Sequence, residues 1–230
     1  MATPTRRLRR TSRGARLLHS AGYLTTLALL LTGWWLLAGG EGNPSPLARI
    51  LGAPDTRAHV WFGWGLAALL ILPLLVRWRG VVAFARETFR LDRGDGRWWR
   101  RWPAGVLTGR FARHEGHFDP GQRVANVIMV GGLVVLTATG IGMTVLHGGP
   151  LFAWLGRIHR WTTFAVTPVL AGHVLVAIGV FPGYRGVWRA MHRGGRVPEE
   201  TARRVWPAWA ERAAGARDRS DPKARDAAHR

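Results

Sequence analysis

Residues 159–181 read HRWTTFAVTPVLAGHVLVAIGVF, and the 21 residues of 161–181 contain no Asp, Glu, Lys or Arg. A helix rises about 1.5 Å per residue, so a run of this length matches a hydrocarbon core about 30 Å thick. Three further uncharged runs, 17–38, 59–76 and 124–146, hold 22, 18 and 23 residues. The apolar residues therefore come in blocks rather than at the spacing of amphipathic soluble helices. The expected fold class is an all-α membrane protein, a four-transmembrane-helix bundle with spans at about 17–38, 58–76, 123–146 and 153–182. A basic N-terminus over 1–16 precedes the membrane domain of 17–183. An interfacial segment, 184–212, and a disordered basic tail, 213–230, follow it.

The formal charge of +20 sits outside these runs. Arg and Lys number six before the first span, two in 39–58, eleven in 77–123, none in 147–156 and twelve after 182. The positive-inside rule then places both termini and the long middle loop in the cytoplasm of a bacterial inner membrane. Basic residues that flank apolar spans are explained by anionic lipid and topology, so no nucleic-acid partner is expected. The first run is too long for the apolar core of a signal peptide and reads as an uncleaved span. Trp98, Trp99 and Trp102 stand among arginines in 77–121, which suits a partly helical segment at the lipid surface. The absence of cysteine excludes disulfides, iron–sulfur ligation and thiol nucleophiles, so any metal must be held by histidine or carboxylate.

Four histidines lie in or at the rim of spans: His19 in the first, His59 opening the second, and His159 and His173 in the fourth. Ionisable groups in a membrane are costly and usually functional. A rim histidine such as His19 or His59 also suits an interfacial anchor; His173, among Leu170, Val174 and Val176, does not. Fourteen residues make just under four turns, so His159 and His173 share a helix face about 21 Å apart. One metal cannot bridge them, whereas two cofactors stacked across the bilayer can use both. Depth pairs His59 with His159 at the outer level and His19 with His173 at the inner, the latter at the cost of a tilted or projecting fourth helix. Gly33, fourteen residues on from His19, either gives a porphyrin room or lets helices approach; for Gly131, Gly132, Gly140 and Gly142 helix approach is expected. Arg157 and Arg160 flank His159 and suit haem propionates or lipid headgroups equally well. His114 and His117 form an H-x-x-H without a third ligand and read as solvated loop histidines.

Further residues carry a family likeness over about 14–212: Arg16-Leu17-Leu18-His19, His59, Asp119-Pro120-Gly121-Gln122, His159 with His173, then Tyr184-Arg185-Gly186 and Gly195-Arg196-Val197-Pro198-Glu199-Glu200 with Trp206. In these the chain resembles the di-haem cytochrome b (gamma) subunit of membrane-bound formate dehydrogenase and related cytochrome b/b6-domain subunits. The resemblance implies two haem b groups with paired histidine ligands (metal ligands His19, His59, His159 and His173) and no dehydrogenase site in this chain. It also implies an iron–sulfur (beta) partner on the outer face with a catalytic (alpha) subunit. Quinone, menaquinone or ubiquinone, would be reduced near His173 and the approach to the third span, with Asp119 and Gln122 as its contacts. Family members often carry Asn where this chain has Asp119; a carboxylate there could instead relay protons. Two other readings stand beside this one: a free-standing di-haem quinone oxidoreductase, and a haem-free anchor or transporter subunit. The spans contain no acidic residue, which argues against a proton-coupled transporter.

Overall fold

The computed structural model describes residues 6–39 and 42–220, with side chains to Ala216. In chain order come β1 (Arg7–Arg9), α1 (Arg13–Leu37), α2 (Pro46–Leu51), α3 (Asp55–Thr88), α4 (Asp95–Thr108), α5 (Pro120–Val145) and α6 (Gly149–Ile178). A 3-10 turn at Pro182–Tyr184, α7 (Arg189–His192), β2 (Arg196–Pro198), α8 (Glu199–Val205) and α9 (Pro207–Ser220) complete the chain. Helices α1, α3, α5 and α6 are long and apolar enough to cross a membrane, so the all-α, four-span fold expected from the sequence is present. Leu31, Leu75, Val76 and Trp161 are each more than 60% exposed on the protein. Apolar surface on this scale is stable only against lipid. The second span ends where its charge begins: helical dihedrals break at Arg77 (φ −138°, ψ 38°), four residues after Pro73.

The chain divides into two compact units. One comprises Leu17–Ala83 and Ile128–Pro168 and holds most of the four long helices. In it the Trp34 ring of α1 meets the Phe164 ring of α6 at 5.4 Å between centroids. Gly132 and Gly142 of α5 lie under Val166 and Leu155 of α6, where an added Cβ would overlap a methyl group. These two glycines permit close helix approach, as expected from their composition.

The other unit gathers Met1–Arg16, Phe84–Val127 and Val169–Arg230. Here β1 and β2 pair antiparallel with Leu8 opposite Val197, which ties the N-terminal segment to the tail. Leu8, Val197, Ala202 and Ala210 form one small core, and Val106, Tyr184, Val205 and Trp206 another. The Arg10 guanidinium lies over the rings of Trp206 and Trp209, 3.6 and 4.6 Å from their centroids, and donates to the His117 carbonyl at 2.6 Å. Burial pulls its pKa down to about 9, against the pull of Asp119 and Glu87.

Three expectations change in this unit. Trp98 does not lie on lipid; it is 1% exposed and stacks on Phe111 at 12° between ring planes. His114 is not solvated, because the tail covers it and its Nε2–H donates to the Val205 carbonyl at 3.0 Å. Helix continues through 213–220 instead of dissolving, on an alanine-rich stretch with Ala213, Ala214 and Ala216; the rest of the tail, 221–230, lies outside the described residues.

Candidate functional site

His59 lies in the second turn of α3 and His159 in the third turn of α6, and the two rings meet with centroids 6.1 Å apart and planes at 70°. Two other helices hold them. On α1, the Thr32 hydroxyl lies 2.9 Å from His59 Nδ1; on α5, the Thr139 hydroxyl lies 2.9 Å from His159 Nδ1. Beside each threonine is a glycine: a Cβ on Gly33 would stand 3.1 Å from His59 Cε1, and one on Gly140 would stand 3.6 Å from His159 Cε1. Gly33 thus makes room for an imidazole, whereas at Gly140 an added Cβ would meet the ring at ordinary van der Waals distance.

With Nδ1 engaged, Nε2 is the nitrogen each ring has left. Two imidazoles bound on opposite sides of one metal, at about 2 Å per bond, put their ring centroids roughly 6 Å apart. Among the described residues no group of three or more His, Cys, Asp or Glu is placed to hold a metal. A bare ion needs three or four protein ligands. The pair therefore fits a metal that brings its own equatorial ligands, as a porphyrin does.

Arg160, next to His159, lines a groove of about 440 Å³ with Trp34, Leu37, Ala38 and Phe164. Arg157 stacks its guanidinium on Trp154, 4.7 Å from the ring centroid. His19 on α1 belongs to the same unit as His59 and His159, and its ring lies 5.8 Å from that of Tyr23. His173 lies further along α6, in the other unit.

Asp119 is 5% exposed, and its Oδ1 accepts the Gln122 backbone N–H at 2.8 Å, capping α5 ahead of Pro120. Burial raises its pKa, although Gln122, His114, Arg10 and Arg123 all favour the charged form. Nearby, Asn126 donates to the Thr88 hydroxyl at 3.3 Å. His117 has its N–H bonded to Glu87 and its ring set edge-on to Trp209. Burial first, then the Arg10 and Arg212 cations, pull its pKa down to about 4.

The unfolded chain binds the His117 proton near pH 6.5, so the stability linked to this group is full above that value. It is lost as pH falls from about 6.5 towards 4, by about 3 kcal/mol in all. Asp119 works in the opposite sense, its linked stability falling as pH rises above the ordinary carboxylate value. Comparing proteolytic resistance of the wild type with His117→Gln across pH 4–7 isolates the histidine. The variant is expected to lose the acid-side decline, and an unchanged decline would exclude His117 as its source.

Sequence reasoning placed His59 and His159 on matching levels but missed Thr32 and Thr139. The available signal was the same Thr-Gly dipeptide, 32–33 and 139–140, in two spans without charge. No curated protein matches the chain. A family model for prokaryotic cytochrome b561 matches residues 10–194, which include all four span histidines and both Thr-Gly pairs. The chain belongs to the prokaryotic cytochrome b561 family and is a multi-pass membrane protein of haem b electron transfer.

Proposed function

We propose that this chain is the di-haem membrane subunit of a respiratory oxidoreductase of the formate dehydrogenase type. It carries electrons from an iron–sulfur subunit docked on the outer face, itself joined to a catalytic subunit, to a quinone on the cytoplasmic side. The observation that carries the reading is the His59–His159 pair at 6.1 Å, each Nδ1 held by a threonine from another helix. Haem b supplies a reversible one-electron iron couple and the four equatorial nitrogens that the protein lacks.

His59 and His159 would hold one haem, and His19 and His173 are the span histidines left to hold a second. Arg160, in the groove beside Trp34, and Arg157 offer guanidinium to propionate carboxylates. The exposed apolar sides of α1, α3, α5 and α6 face lipid and keep water from the histidine pair. At the other level Asp119, buried near Arg10 and His114, exchanges protons for the quinone, with Gln122 beside it. The arginine-rich connections set both termini in the cytoplasm of a bacterial inner membrane.

The purified protein is expected to show a b-type band in its reduced-minus-oxidised spectrum and two haems per chain; a flat difference spectrum ends the reading. Copurification with an iron–sulfur subunit separates the partnered form from a free-standing cytochrome. The glycines give a graded expectation. Gly33→Ala forces His59 to shift by a few tenths of an ångström, while Gly140→Ala meets His159 at ordinary van der Waals distance. Gly33→Ala should therefore broaden or shift the haem band more than Gly140→Ala, and the reverse order would contradict the placement of the two rings.

A further inference from the structure

Thr32 and Thr139 present one geometry twice. Thr32 Oγ1 lies 2.8 Å from the Ala28 carbonyl and 3.2 Å from the Leu29 carbonyl, and Thr139 Oγ1 lies 2.7 and 3.1 Å from those of Val135 and Leu136. A hydroxyl has one hydrogen, and a helix carbonyl has none to give. In each case the hydrogen points back to the preceding turn, so the oxygen faces histidine with lone pairs only. The imidazole must then be the donor, Nδ1–H to Oγ1 at 2.9 Å. Thr32 is 0% and Thr139 6% exposed, so no water competes for either end. Each relay thus fixes the Nδ1–H tautomer and leaves the Nε2 lone pair free.

We infer that Thr32 and Thr139 are positioning residues for the haem held by His59 and His159, setting the tautomer, the ring rotation and the basicity of both axial ligands. This rests on the assignment of those histidines in the proposed function. An imidazole whose N–H donates to an oxygen is a stronger electron donor to the metal on its other nitrogen. The oxidised metal gains more from that than the reduced one. Both threonines therefore hold the potential of the same haem down, from two helices, α1 and α5, that supply none of its ligands. Gly33 belongs to the same device, since Cε1 adjoins Nδ1 and a Cβ at 33 would stand only 3.1 Å from the His59 Cε1; at Gly140 the corresponding distance is an ordinary 3.6 Å. β-branching adds to the fixing, because a threonine bonded to its own preceding turn has one rotamer for the task.

The test uses the full-length protein purified from membranes, with Thr32→Val, Thr139→Val, the double variant, and the serine variants Thr32→Ser and Thr139→Ser. Each is titrated electrochemically while the haem band is followed. At the wild-type midpoint potential of the haem that His59→Ala removes, that haem is half reduced. In each valine variant the reduced-to-oxidised ratio is expected to rise by about threefold or more, further in the double variant, and haem retention to fall about tenfold, as for other partners of metal-binding histidines.

Serine keeps the oxygen and should restore both values, and the second haem should not move in any variant. A valine protein that loses the haem outright, with its serine counterpart intact, supports the inference equally. Valine variants with an unmoved midpoint overturn it, as does a serine variant displaced as far as valine, which would mark a packing effect. Retention of both haems in His59→Ala refutes the ligand assignment instead, so the two failures are distinguishable.

Discussion

Substituting His59 or His159 by alanine is expected to remove the same haem, taking the pigment count from the proposed two per chain to one, while substituting His19 or His173 is expected to leave that haem in place. The first half follows from geometry. The two rings come from different helices, α3 and α6, yet stand 6.1 Å apart between centroids, a gap that suits one metal and no second. Either alanine would leave one imidazole of the pair, half-buried, to hold the metal alone. A milder variant separates ligation from folding. His159→Met keeps a metal-binding atom at the same position, and methionine with histidine is a known axial set that raises the potential. Haem retention in His159→Met with a raised midpoint, beside complete loss of that haem in His159→Ala, is the expected pattern. Measured by haem content against protein, loss of different haems from His59→Ala and His159→Ala would break the pair apart.

The spans and the matching depth of His59 and His159 were legible in the sequence for a simple reason. Crossing lipid demands some twenty apolar residues in a row, and a ligand inside such a run has no bland explanation as easy as a loop histidine has. His59 and His159 then followed from depth. Thr32 and Thr139 did not, because a threonine in an apolar helix reads as packing with its hydroxyl satisfied by the preceding turn. That same bond is what turns its lone pairs outward. The burial of His114 and the half-buried state of His117 were also hidden. Their covers come from far along the chain, Val205 over His114 at a separation of 91 residues and Arg10 over His117 at 107. Local composition there is basic and glycine-containing, which looks solvated. The pairing of β1 with β2 and the stacking of Arg10 on Trp206 and Trp209 bring the first segment and the tail together over it.

Arg123 shows what such hidden contacts are worth. The count of loop charges treats it as one cation among eleven in 77–123. In the fold it is 4% exposed, in the first turn of α5, where the helix dipole disfavours a positive charge. Its partners offset that. Nη1 donates to the Arg90 carbonyl at 2.8 Å and to Asp95 at 2.9 Å, Nη2 to Asp92 at 3.0 Å, and Nε to the Phe118 carbonyl at 3.1 Å. One guanidinium therefore fastens the turn before α4 and the approach to α5. Asp92 shows the balance in its acidity: burial would raise its pKa, but Arg90 and Arg123 together carry it below the ordinary value.

Arg123→Ala takes the guanidinium from Asp95, from two carbonyls and from Asp92, which keeps Arg90, a loss of about 3 kcal/mol by comparison with other broken buried pairs. In protease digestion of the purified protein, cleavage within 89–118 is expected to speed up by roughly a hundredfold or more, since local opening follows that free energy. Arg123→Lys should recover only part of it, because a single ammonium cannot reach acceptors spread around a planar fork. If Arg123→Ala is cut no faster than wild type, the clamp contributes nothing. If lysine restores full resistance, charge alone suffices and the fork geometry is irrelevant. The proposal predicts neither, and it predicts besides that the haem held by His59 and His159 stays bound in both variants, because the clamp and that pair lie in different units.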